Sequence, residues 1–180
     1  MLFRSEGKIA ALYFEGFSAL VKTSDFDFND RNRRPPKDPV NAMLSLGYSA
    51  LTNEFTGLAY SVGLDPYCGI LHHNKLGKPA LALDLMEEFR PLIVDSVVLR
   101  LINTGEIKPS DFMQSARGCV LTKSGFGIFW KAYIERLSST VTHPTFNYSC
   151  PYRSTMELQV RQLWRIFMYE LDHYSPMVTR

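Results

Sequence analysis

Ala80-Leu-Ala-Leu-Asp84-Leu-Met-Glu87-Glu-Phe89 sets two carboxylates into a run that is otherwise almost wholly apolar. Read as a helix, it places residues three apart on one face, so Asp84 and Glu87 project the same way. Leu81, Leu83, Leu85, Met86 and Phe89 surround them and leave no continuous polar stripe. Ionised carboxylates in apolar surroundings repel each other and lose hydration, which a bound cation would offset. The same spacing also suits a solvated helix face. Just upstream, Gly69-Ile-Leu-His72 ends a short apolar stretch, where the imidazole reads either as a ligand or as a hydrogen-bonded core residue. Oxygen and nitrogen donors without thiolate favour manganese or magnesium over zinc. Glu6, far away in sequence, is the remaining member of this set of ligand-type side chains.

Working outward, Pro91 kinks or divides the helix from Pro79, which resumes through Val97, Val98, Leu99 and Ile102 to Asn103. Asp38-Pro39 is a strong helix start, followed by Val40, Met43, Leu44, Leu51, Phe55, Leu58 and Val62 up to a stop at Gly63. Ser5 reads as an N-cap for a first helix from Glu6 to about Val21, with Ile9, Leu12, Tyr13, Phe17 and Leu20 at helical spacing. Glu6 then sits in the first turn, where a carboxylate also stabilises the helix dipole. Residues 23–38 form a polar, proline-broken loop. Residues 105–118 read as a connector, Cys119–Leu121 as one extended piece, and Thr122 as the cap of a helix to about Leu137. Residues 138–151 read as loop, and a final amphipathic helix runs from about Ser154 to His173. The expected fold is mainly α, one helical domain spanning residues 1–180.

A length of 180 residues with 46% apolar content is enough for a real core. No run approaches bilayer-spanning length and no signal-peptide pattern opens the chain, so no membrane association and a cytoplasmic location are expected. Cys68, Cys119 and Cys150 suggest buried, reduced thiols. A net charge of +2 does not by itself announce a nucleic-acid partner.

Several motifs together resemble the C-terminal catalytic domain of the CRISPR-associated integrase-endonuclease family, known as Cas one. They are Ser5-Glu6-Gly-Lys-Ile-Ala-Ala-Leu-Tyr-Phe14, Arg31-Asn-Arg-Arg-Pro-Pro-Lys-Asp-Pro39 continuing to Tyr48, Gly63-Leu-Asp-Pro-Tyr67, Leu71-His72, Ala82 to Pro91, Leu121-Thr122, Tyr152-Arg153 and the tail Tyr174-Ser-Pro-Met-Val-Thr-Arg180. The resemblance implies a prokaryotic, metal-dependent DNA nuclease and strand transferase that joins 3′-hydroxyl ends of captured DNA to a CRISPR repeat. Its metal ligands carry over to Glu6, His72 and Glu87, with Asp84 a further carboxylate that orients a ligand or a water. Implied partners are double-stranded DNA, both foreign fragment and repeat, the smaller acquisition protein Cas two, and a second copy in a homodimer. The family's β-rich N-terminal domain is expected to be absent here.

Beside this set lie Arg31, Arg33, Arg34 and Lys37, and farther on Arg153. Under the resemblance they contact the DNA backbone. Their plainer reading is a solvated loop partly neutralised by Asp25, Asp27, Asp30 and Asp38. Two other functions stay open: a catalytically silent helical module that binds DNA or a partner, and a small metalloprotein with no nucleic acid.

Overall fold

In the computed structural model, residues 2–178 are described apart from 74 and 117, with side chains from residue 7 onward. The α-helices are α1 (Leu2–Leu20), α2 (Pro39–Ser61), α3 (Ala80–Met86), α4 (Ser96–Asn103), α5 (Lys123–Ser138) and α6 (Tyr152–Phe167). Two short antiparallel hairpins complete the fold: β1 (Phe112–Ser115) with β2 (Gly118–Leu121), and β3 (Thr140–Thr142) with β4 (Ser149–Pro151). Helices therefore dominate, with few strands. The chain divides into two compact units, Met1–Leu46 with Ser96–Ala132, and Gly47–Asp95 with Tyr133–Arg180.

The first unit is built on phenylalanines. Phe14 and Phe17 on α1 are buried and meet Phe28 edge-on or tilted, at 6.2 and 5.2 Å between ring centroids. Ile9, Leu12, Tyr13 and Leu20, expected on the buried face, are instead exposed. The aromatic pair three residues apart, anchored by Phe28, sets the rotation of this helix. The helix also starts earlier than expected, so Ser5 lies inside it rather than at its cap, and Glu6 lies past its first turn. At α2 the expectation holds: Asp38 Oδ1 accepts the Asn41 N–H at 2.8 Å, and Pro39 opens the helix. Thr122 likewise caps α5, its Oγ1 accepting the Gly125 N–H at 3.1 Å.

Residues 105–118 are more than a connector, for β1 pairs with β2 in the register Phe112 to Leu121. This hairpin grips the proline loop: the Cys119 N–H donates to the Pro36 carbonyl at 2.8 Å. Gly118, at φ +88°, approaches so closely that a Cβ would lie 2.3 Å from that carbonyl oxygen.

In the second unit Phe55 and Phe89 pack at 5.3 Å among buried Leu51, Leu81, Leu85 and Ile93. Pro91 divides the long helix as expected, and the division takes the form of a π-helix, Arg90–Asp95. The 138–151 stretch holds the second hairpin, with His143 fully buried against Phe146 at 4.6 Å between centroids. Burial lowers the His143 pKa despite the Gln159 hydrogen bond. Helix α6 stops at Phe167, six residues short of expectation. Tyr169 takes a left-handed φ of 58°, and the Glu170 N–H closes back on the Arg165 carbonyl at 2.8 Å. Of the cysteines, Cys119 and Cys150 are buried thiols, but Cys68 is exposed. No helix among the described residues is long and apolar enough to cross a membrane.

Candidate functional site: a braced histidine and a clamped glutamate

Residues 65–73 lie in the connection from α2 to α3, built there of turns and bends, and they are tied to α3 through one carboxylate. Asp84 Oδ2 accepts the N–H groups of Ile70 and Leu71 at 2.7 and 2.9 Å, and Oδ1 accepts the His72 N–H at 3.0 Å. The same Oδ1 lies 2.6 Å from His72 Nδ1. Gly69 is required for this approach, since a Cβ there would come within 2.6 Å of both the Ala80 Cβ and the His72 carbonyl oxygen. Burial alone would raise the Asp84 pKa. The donors from Leu71, the His72 ring, Ile70 and the His72 backbone outweigh it and hold the carboxyl below the ordinary carboxylate range. Asp84 is thus an ionised, nearly buried group, its side chain 7% exposed.

The consequence for His72 is directional. An ionised carboxylate at Nδ1 favours a proton there, so in the neutral ring Nε2 carries the lone pair. Nε2 has no protein partner among the described residues, and the side chain is 27% exposed. A histidine that donates one ring nitrogen to a carboxylate while presenting the other is the usual arrangement of a metal-binding imidazole.

Glu87 follows one turn after Asp84, at the end of α3. Both its oxygens are held by Arg90 Nη1, at 2.9 and 2.7 Å, and its side chain is 46% exposed. Arg90 in turn lies over the Tyr48 ring, 4.3 Å from centroid to Cζ. The Tyr48 hydroxyl donates to the buried Asp95 at 2.6 Å. Burial first, then the charge of Asp95, push the Tyr48 pKa up, so it stays a donor. Arg90, Tyr48 and Asp95 were not singled out from sequence, although the three-residue spacing of Glu87 and Arg90 was an available signal.

Among the described residues no group of three His, Cys, Asp or Glu side chains gathers as a metal cluster. The Glu6 side chain lies outside the described residues. His72 and Asp84 are brought together, and Glu87 shares their unit. In donor type, the oriented imidazole and the Glu87 carboxylate suit a divalent ion of the manganese or magnesium kind.

The basic loop belongs to the first unit, and its members differ. Arg31 is committed within the loop, donating through Nη1 to Asn41 Oδ1 at 2.6 Å and through Nη2 to Ser45 Oγ at 3.0 Å. Arg33, Arg34 and Lys37 are exposed. Arg153, in the second unit, pairs with Glu54 at 3.0 Å while its side chain remains 54% exposed.

The fold is largely helical, with a carboxylate-braced histidine and a half-exposed glutamate in one unit and exposed arginines in the other. The sequence profile described as CRISPR associated protein Cas1 matches residues 1–135, and the chain belongs to this Cas1 family. A CRISPR-associated exonuclease Cas4/endonuclease Cas1 fusion of Geobacter sulfurreducens is 50% identical over 97% of this chain and 32% of its own length. Among solved structures, a casposase bound to integration product superposes with a TM-score of 0.87 at 29% identity, over 97% of this chain and 50% of that one. A Cas6-RT-Cas1–Cas2 complex gives 0.82 at 28% identity, over 96% of this chain and 19% of the other. The chain spans about a third to about half the length of the first curated relatives it matches.

Proposed function

We propose that this chain is the metal-dependent catalytic region of a Cas1 protein, cutting and joining DNA strands in spacer acquisition in a prokaryotic cytoplasm. The observation that carries the reading is the His72–Asp84 pair, which aims one imidazole nitrogen away from its brace in a chain of this family. His72, Glu87 and Glu6 are the proposed ligands of a Mg2+ or Mn2+ ion. When bound, such an ion polarises a phosphate oxygen and offsets the charge that develops during in-line attack by a 3′-hydroxyl or water.

The protein's own groups prepare that chemistry. Asp84 keeps the proton of His72 on Nδ1. Arg90 bonds both Glu87 oxygens and limits its rotamers until a stronger cation competes for it. Arg33, Arg34 and Lys37 contact DNA phosphates, and Arg31 shapes their loop from within through Asn41 and Ser45. Arg153 joins them by exchanging Glu54 for phosphate. The proposed partners are double-stranded DNA, as foreign fragment and as CRISPR repeat, a Cas2 protein and a second copy of Cas1. The casposase and Cas1–Cas2 structures similar to this chain support the integration product and the Cas2 partner respectively.

The test is manganese-dependent nicking of branched DNA by the 180-residue chain and by its Glu6→Ala and Glu87→Ala variants. The proposal expects nicking by the parent and a loss of at least tenfold in each variant. Equal rates in all three would reject it. The Arg90 clamp on both Glu87 oxygens favours one competing reading, a helical module that binds DNA without turnover. That reading expects salt-sensitive binding and no metal-dependent nicking.

A further inference from the structure

Glu88, next to Glu87, is engaged by the other end of the chain. Its Oε1 accepts the Tyr174 hydroxyl at 2.5 Å, and its Oε2 accepts the Met177 N–H at 2.7 Å and Gln159 Nε2 at 3.0 Å. Gln159, wholly buried, also donates to the Ser175 carbonyl at 3.1 Å. Gln162, 4% exposed, accepts the Ser175 N–H and donates to the same carbonyl at 3.4 Å. Met177 is itself buried. A buried polar network of this kind resists displacement, because removing one member leaves its partners unsatisfied in a low dielectric.

The turn that carries Glu87 and Glu88 has little regular backbone support. Helix α3 ends at Met86, the π-helix begins at Arg90, and Pro91 has no N–H to give the Glu87 carbonyl. The Phe89 N–H reaches the Met86 carbonyl at 3.0 Å, and the Ile93 N–H reaches the Phe89 carbonyl at 2.9 Å. Beside these bonds and the buried Phe89 ring packed on Phe55, side-chain bonds fasten the turn: Arg90 on Glu87, and the Tyr174–Met177 segment on Glu88.

We infer that Tyr174–Met177 is a positioning strap, which by fastening Glu88 fixes the turn bearing Glu87 and so sets the geometry at which the Glu87 carboxylate meets a divalent cation. Glu88 and Tyr174 are positioning residues, acting through Glu87 without touching the ion. The inference rests on the metal reading of Glu87 for its last step, but the fixing of the turn stands on the hydrogen bonds alone.

The test compares the parent chain with Glu88→Gln and Tyr174→Phe by two measurements. Amide hydrogen exchange over residues 84–95 reads the turn, with α1 and α5 as internal references. Calorimetric titration with Mn2+ alone reads the ligand geometry. The strap predicts faster exchange confined to residues 86–91 and Mn2+ binding weakened three- to tenfold. Glu88→Gln, which can still accept the Met177 N–H, should be the milder variant. Unchanged exchange in the turn, or acceleration spread evenly over the references as from general destabilisation, overturns the strap. Faster local exchange with parental Mn2+ affinity overturns the positioning role. If the parent itself binds no Mn2+, the metal reading fails, and the exchange result still decides whether the strap fixes the turn.

Discussion

His72 Nδ1 and Asp84 Oδ1 stand 2.6 Å apart, and the carboxylate that holds the ring also gathers three successive backbone N–H groups of the same loop. One side chain therefore sets both the path of the loop and the tautomer of its histidine. Asp84→Asn preserves size but presents an amide where an acceptor is needed. Loss of such a brace typically costs about 10- to 100-fold in metal affinity or activity. We expect a fall of that order in Mn2+-dependent nicking, measured alongside Mn2+ affinity, with the helical circular dichroism retained.

The same pair makes stability depend on acid. The folded Asp84 pKa is depressed, so its contribution is fully present above the unfolded carboxyl value, about 3.9, and is lost as pH falls through the lower folded value. Melting temperature of the parent should therefore drop more steeply below about pH 4 than that of Asp84→Asn. Parallel melting curves across that range would contradict the assignment.

Arg90 links Glu87 to Tyr48. The ion pair alone contributes little, since Glu87 is half exposed, whereas the guanidinium stacked on Tyr48 is largely buried. Arg90→Lys keeps the charge and loses the planar stacking and the grip on both carboxylate oxygens. It should lower unfolding free energy by about 1 kcal/mol in urea titration. In the Tyr48→Leu background the same change should cost less, and an unchanged cost would deny the coupling.

The basic loop separates into structural and exposed charges. Replacing Arg33, Arg34 and Lys37 by glutamine should reduce the slope of log DNA affinity against log salt by about 3 and leave melting nearly unchanged. Arg31→Ala, which removes the guanidinium bonds to Asn41 and Ser45, should instead destabilise the fold by about 2 kcal/mol. Fluorescence anisotropy over a salt series and chemical denaturation read the two outcomes.

Signals carried by local chemistry were legible in sequence. Asp38-Pro39, Thr122 and Pro91 each act through one or two hydrogen bonds that their neighbours also encode, and each marks an observed boundary. The rotation of α1 was not legible, because it follows from where Phe28 arrives after a loop. Of the hairpin strands, the extended piece at Cys119–Leu121 was legible and the other three were not, since strands of three or four residues are too short for an alternating pattern to register. At the site, residue type and spacing singled out His72, Asp84 and Glu87. The division of labour between the inward-held Asp84 and the Arg90-bound Glu87 depends on the 69–72 loop folding back, and Gly69 permits this through a contact distant in sequence. The role of Glu88 was not legible, because its partners Tyr174 and Met177 reach it from the far end of the chain.

Whether Asp84 aims His72 Nε2 at a divalent ion is read by pulsed electron paramagnetic resonance of Mn2+ bound to the 180-residue chain. An imidazole nitrogen coupling is expected in the parent and is abolished in His72→Ala. A coupling that persists in His72→Ala, or bound Mn2+ with no nitrogen coupling in the parent, would contradict it.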